Sequence, residues 1–201
     1  MGDELEAVRQ NRQIAKKFFD LPDVVYMEQV HGSAVAIITK VNKDQTPTVD
    51  ALVTKERGVA LSVLVADCVP LLMHDRERGV IAAVHVGRRG LGNGVVANAV
   101  EAMKSIGAVS IRANMGPAIC GDCYEVPEDM QSEISSFAPA APSVTDAGSE
   151  GLDIRDGVAW QLEQMGIESI IDPMCTRRSQ LHYSYRREGV TGRTAGFVHL
   201  V

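Results

Sequence analysis

Three apolar runs crowd into residues 59–86: VALSVLV at 59–65, VPLLM at 69–73 and VIAAVHV at 80–86. β-Branched side chains lose rotamer freedom in a helix but pack well on a pleated surface. Runs this rich in valine, bounded by polar or glycine-containing turns, predict strands. The segment DRERG at 75–79 reads as the turn of a hairpin between the last two. Asp67 interrupts the apolar stretch 59–73, which is also too short to span a bilayer.

Further short apolar runs at 24–27, 34–41, 109–113, 167–171 and 195–201 predict additional strands. Leu5, Val8, Ala15, Phe18 and Phe19 recur at helical spacing, so residues 4–20 predict an amphipathic helix. Residues 94–106 predict a second helix, stopped by Gly107. Pro127 suits the first turn of a third, running to about Phe137, and 155–165 predict a fourth, stopped by Gly166. The stretch APAAPSVTDAGSEG at 138–151 reads as a loop. Helices and strands mix without strict alternation, which predicts a mixed α/β (α+β) domain rather than a doubly wound parallel sheet. No internal repeat or long linker divides the chain, so 1–201 reads as a single domain, long enough to bury a core.

Composition narrows the function. The net charge is −6 and aromatics are 4%, neither of which suits a nucleic-acid binder. Four cysteines in 201 residues do not make a disulfide scaffold, and MGDELEAVRQ carries no secretory pattern. The expected setting is the cytoplasm, with reduced thiols and no membrane partner.

Three segments place a metal-capable side chain beside a predicted strand: QVHG gives His31, ADCVP gives Cys68 and AVHVG gives His85. Thiolate and neutral imidazole suit zinc, and three protein ligands leave a fourth position open. Their wide spacing alone is nonspecific, and it favours the bland alternative of a buried thiol and two satisfied histidines. Arginines concentrate at 177, 178, 186, 187 and 193, and Arg88 and Arg89 follow His85. Guanidinium groups bind phosphate in a bidentate way, so a local anion site is expected here. GRRGLGNG at 87–94 fails the dinucleotide fingerprint, because Val95 stands at the third glycine. Cys120 and Cys123 form an isolated CGDC, which reads as a glycine-rich turn.

The ordered motifs QVHG, VDALVT, ADCVPLL, AVHVGRRG, GPAICGDCYEV, LDIR, CTRR, YSYRRE and TGRTAGF resemble the YfiH family, once called multicopper polyphenol oxidases. The resemblance runs over essentially the whole chain. It implies an α-β-β-α sandwich with mixed sheets and zinc ligands at His31, Cys68 and His85, copper being the second candidate metal. It also implies purine nucleoside phosphorylase activity with adenosine deamination. Adenosine, inosine and methylthioadenosine are the implied nucleosides, and phosphate is the co-substrate. Within that frame, Cys68 and Arg89 are expected to serve catalysis, and Arg89 and Arg186 to contact substrate. Two departures stand out: Arg88 replaces a usual tryptophan in HVGRRG, and the family's N-terminal strands are expected to be missing. Two other readings are a Cys/His hydrolase of a peptidoglycan precursor, with Cys68 as nucleophile and His85 as base, and a metal-binding protein without catalysis. A multicopper site would need more imidazoles than His74, His182 and His199 supply.

Overall fold

The structure, a computed structural model, describes residues 4–40 and 42–201. In chain order its elements are α1 (Leu5–Phe18), β1 (Asp23–Val25), β2 (Val35–Ile38), β3 (Ala51–Thr54), β4 (Val59–Val65), β5 (Val69–Asp75) and β6 (Val80–Val86). There follow α2 (Arg88–Gly92), α3 (Val95–Ser105), β7 (Arg112–Met115), a 3-10 turn (Gly121–Cys123), α4 (Glu128–Ser135), β8 (Pro142–Val144) and β9 (Glu150–Leu152). The chain ends with α5 (Ile154–Gln164), β10 (Glu168–Ile171), α6 (Tyr185–Glu188) and β11 (Thr194–His199).

Six strands form a mixed sheet in the order β10-β7-β5-β6-β3-β2, and three form a smaller one in the order β1-β4-β11. Along β6, alternate side chains serve two cores, as the two-residue period of a strand requires. Val80, Ala82, Val84 and Val86 share one core with Val96, Val100 and Met103 of α3, and with Val158 and Leu162 of α5. Ile81 and Ala83 face the small sheet through Leu61, Val63 and Val65 of β4. Leu52, Leu61, Leu71 and Leu162 are fully buried, and truncating any one to alanine typically costs about 2–5 kcal/mol. Val198 of β11 packs on this second core, so Phe197 points outward, where the ring of Phe19 meets it at 6.2 Å. Helix α1 is thus the outermost layer, with no buried residue of its own. The observed arrangement is the mixed α/β domain read from the residues and the α-β-β-α sandwich that the family resemblance implies.

Several boundaries differ. The predicted strand 109–113 begins later, at Arg112, because the backbone N–H groups of Val109 and Ser110 donate to the Asp75 carboxylate and hold a turn. The predicted loop 138–151 contains β8 and pairs it with β9 as a small hairpin. Short elements β3, α2 and α6 were not expected. Val41, the predicted end of the second strand, and Met1, Gly2 and Asp3 lie outside the described residues.

One connection positions the site. Strands β4 and β5 are separated by only three residues, yet they belong to different sheets. The chain crosses between the layers at Ala66, Asp67 and Cys68, with Asp67 at φ 89. Left-handed backbone is uncommon for a residue with a side chain, so this crossover is a specified feature of the fold.

Candidate metal centre

Cys68 stands at that crossover, His85 near the end of β6, and His31 in the loop between β1 and β2. Their ligand atoms all lie within 4.8 Å of one another. The Cys68 sulfur is 3.9 Å from His31 Nε2, and the two imidazole rings meet edge to face at 4.7 Å. His31 is exposed, Cys68 half-buried and His85 buried, so the group opens to solvent on one side. A β-carbon at Gly87 would come 3.0 Å from the His31 ring and 3.2 Å from the Cys68 sulfur, so any side chain here would crowd both groups.

Asp50, fully buried just before β3, organises both histidines. One of its oxygens lies 2.8 Å from His85 Nδ1. The carboxylate also accepts the backbone N–H groups of Val30, His31 and Gly32, the last at 2.7 Å. This contact fixes the imidazole tautomer and leaves His85 Nε2 free to act as a ligand. His31 adopts φ 60, a strained backbone held in place by these bonds. Burial alone would raise the Asp50 carboxyl, but hydrogen bonds from His85, Gly32 and His31 outweigh it and hold it low. Burial also acts to raise the Cys68 thiol, yet hydrogen bonds from His31 and His85 bring it down to about 6. His85 shows the converse: burial pushes it down, and Asp50 with Cys68 lifts it to about 9. One thiolate and two imidazoles, one of them oriented by a buried carboxylate, form a donor set that fits a zinc-type or copper-type ion.

Asp67 joins this centre to the C-terminal segment. It accepts the Thr176 hydroxyl at 2.6 Å and the Arg186 N–H at 2.7 Å. The Arg186 guanidinium lies 5.0 Å over the Tyr124 ring. Burial raises the Tyr124 phenol despite the nearby charges of Arg88 and Arg186. Arg89 is exposed on α2, and its side chain has no hydrogen bond or ion pair among the described residues.

The expected arginine cluster disperses, because most of its members are occupied elsewhere. Arg187 donates to the carbonyls of Thr176, Arg177, Ser179 and His182, clamping its own loop. Arg178 pairs with Asp122 and Asp146. Arg177 reaches the Cys123 carbonyl, and Arg193 the carbonyls of Thr191 and Gly192. Of the five, only Arg186 has a guanidinium with no hydrogen-bonding partner among the described residues.

Sequence reasoning missed Asp50, whose only signal is the single acidic residue within VDALVT, and Tyr124, which carries none. It also missed that Cys120 and Cys123 meet Cys175, forming a second group within 4.8 Å. His74, His182 and His199 join neither group.

The class this structure defines is a mixed α/β sandwich that presents one open Cys/His group, a candidate metal site. Over residues 1–201 the sequence matches the family model described as multi-copper polyphenol oxidoreductase laccase. The chain belongs to that family, the YfiH-like proteins. A purine nucleoside phosphorylase of Streptomyces coelicolor is 50% identical over 206 residues, covering 100% of this chain and 85% of that protein. One from Corynebacterium glutamicum is 46% identical, covering 100% and 84%. Among solved structures, Bacillus licheniformis YfiH superposes with a TM-score of 0.91 at 25% identity, covering 100% and 83%. A Neisseria meningitidis protein gives 0.86 at 35% identity, covering 98% and 82%. Among the described residues no helix is long and apolar enough to cross a membrane.

Proposed function

We propose that this chain is a zinc-dependent purine nucleoside phosphorylase acting on adenosine, with inosine and methylthioadenosine as further substrates, and that the same centre deaminates adenosine in the cytoplasm. The observation that carries this reading is the convergence of His31, Cys68 and His85 on one point, with Asp50 fixing His85. Relatives named purine nucleoside phosphorylase at 43–50% identity support it. His31, Cys68 and His85 would hold the ion, which supplies a positive centre that offsets charge on an attacking oxygen.

In phosphorolysis a phosphate oxygen bonds to ribose C1′ as the C1′–N9 bond breaks. The electron pair leaves with the purine, which takes up a proton. Arg186 offers an exposed guanidinium fixed through its own backbone N–H to Asp67, beside Cys68. Such a group binds phosphate through two parallel N–H donors. Arg89, exposed on α2 four residues after His85, supplies a second cation for the same anion. Asp67 orients Arg186, and Asp50 holds the His85 proton on Nδ1.

One observation favours a second reading. Cys68, His85 and Asp50 line up as thiol, imidazole and carboxylate, the arrangement of a Cys/His hydrolase. The second imidazole of His31 beside the same sulfur argues for ligation instead, because a ligated thiolate is a poor nucleophile.

Incubation with adenosine, with and without phosphate, separates the two. The phosphorylase reading expects adenine and ribose 1-phosphate only with phosphate, and some inosine in both. Untouched adenosine in both tubes, in protein shown to carry metal at Cys68, would falsify it.

A further inference from the structure

Cys120, Cys123 and Cys175 are buried together, 8%, 4% and 8% exposed, and no step above uses them. They come from two distant segments, the GPAIC loop with its 3-10 turn and the loop after β10. All three are free thiols whose sulfurs lie within 4.8 Å of one another. A free cysteine packs as a small hydrophobe, and three of them in contact need no explanation on that ground alone. What sets this group apart is the polar framing of its sulfurs.

The Cys175 sulfur accepts the backbone N–H of Cys120 at 3.4 Å and also faces the N–H groups of Arg177 and Arg178, two and three residues on. Backbone donors aimed at one sulfur stabilise a thiolate, as the surrounding hydrogen bonds of metal sites do. Burial acts to raise Cys175, and these N–H groups outweigh it and lower it. Burial and the neighbouring sulfurs push Cys120 up to about 12. The Cys-x-x-Cys turn is tight: a β-carbon at Gly121 would come 2.6 Å from Ser143 Oγ, and the Gly121 N–H is held by Asp153 at 2.9 Å. Two thiols three residues apart, with a third supplied from elsewhere, is the spacing that soft-metal sites use.

We propose that Cys120, Cys123 and Cys175 form a second, all-sulfur site for a thiophilic d10 ion, zinc(II) or copper(I), separate from the Cys/His centre. Soft thiolates select these ions over harder ones. Copper(I) is satisfied by three sulfurs, whereas zinc(II) takes a water as a fourth ligand. The site ties together the two loops that flank Cys68. Cys123 precedes Tyr124, which lies under Arg186. Cys175 precedes Thr176, which donates to Asp67. Occupancy therefore fixes the segments that carry Tyr124 and Arg186 without placing the ion near substrate.

The test is metal content by mass spectrometry in the whole protein, as isolated and after stripping and titration with zinc(II) or copper(I) under reducing conditions. Wild type is expected to take up about two ions per chain and Cys68→Ala about one. Cys175→Ser is expected to keep only the ion at Cys68. The ion retained by Cys68→Ala decides between zinc and copper. Because Cys68→Ala leaves the three thiols intact, it decides the matter even if Cys175→Ser folds poorly. Cobalt(II) in Cys68→Ala should show the sulfur-to-metal absorption of a multi-thiolate site. A folded Cys68→Ala protein that binds no ion in either titration would overturn the proposal. So would a Cys120–Cys123 disulfide in protein that carries no second ion.

Discussion

The molecule gathers sulfur ligands twice, and the two groups are built on opposite principles. The Cys68 group mixes one thiol with two imidazoles, leaves His31 exposed, and is held from behind by a buried carboxylate. The Cys120 group uses sulfur alone, is buried on all three residues, and is framed by backbone N–H groups. An open mixed site leaves a position for a reacting molecule, whereas a closed thiolate site contributes rigidity. Asp67 and Thr176 link the two, so the buried cluster stands directly behind the segment that presents Arg186. Side-chain type alone does not separate these roles. Exposure and the identity of the supporting hydrogen bonds do.

The sharpest contrast is in thiol reactivity once metal is removed. Cys68, lowered to about 6, is mostly thiolate at neutral pH, and its alkylation should rise as pH climbs through 6 and then level off. Cys120, raised to about 12 and buried, keeps its proton until far higher pH. At pH 7.5 the two should differ at least about 1,000-fold in rate, read by peptide mapping after iodoacetamide. Equal rates would erase the distinction between the groups.

Asp50→Ala attacks the open centre alone. It leaves His85 Nδ1 and three backbone N–H groups without their acceptor, so a loss of about 3–5 kcal/mol in urea unfolding is expected. Metal at Cys68 should be lost while the thiol cluster keeps its ion. Loss from both would mean that the two sites are not independent.

Arg187→Ala attacks the link. Four loop carbonyls lose their shared donor, for about 2 kcal/mol of stability. Hydrogen exchange should rise across 176–187 while β5 and β6 stay protected. The smallest effect is expected from Arg186→Ala, because its guanidinium is exposed. It should raise the KM for phosphate about 10-fold with little change in that for nucleoside. An unchanged phosphate dependence would leave Arg186 a solvated surface cation.

How much of this was legible follows from what each feature rests on. Strands β4 and β6 match their predicted bounds because valine-rich apolar runs are a local signal. Strand β3 went unseen because ALVT is too short to show a period. Helix α2 went unseen because Arg-Arg-Gly has no apolar stripe. His31, Cys68 and His85 were legible as ligand types, but their meeting depends on β4 and β5 parting into different sheets, which no local pattern shows. Cys175 was not joined to Cys120 because 55 residues separate them and only tertiary packing brings them together. The arginines were legible only as charge, because composition does not show which carbonyls and carboxylates already occupy each one.

The central claim is that the Cys68 centre holds the ion on which phosphate-dependent cleavage of adenosine depends. The most direct measurement strips the protein of metal, follows adenine release with phosphate present, and then restores zinc. The account predicts that release stops, returns with zinc in wild type, and does not return in Cys68→Ala even though that variant still binds its second ion. Undiminished adenine release from metal-free wild type, or full recovery in Cys68→Ala, would contradict it.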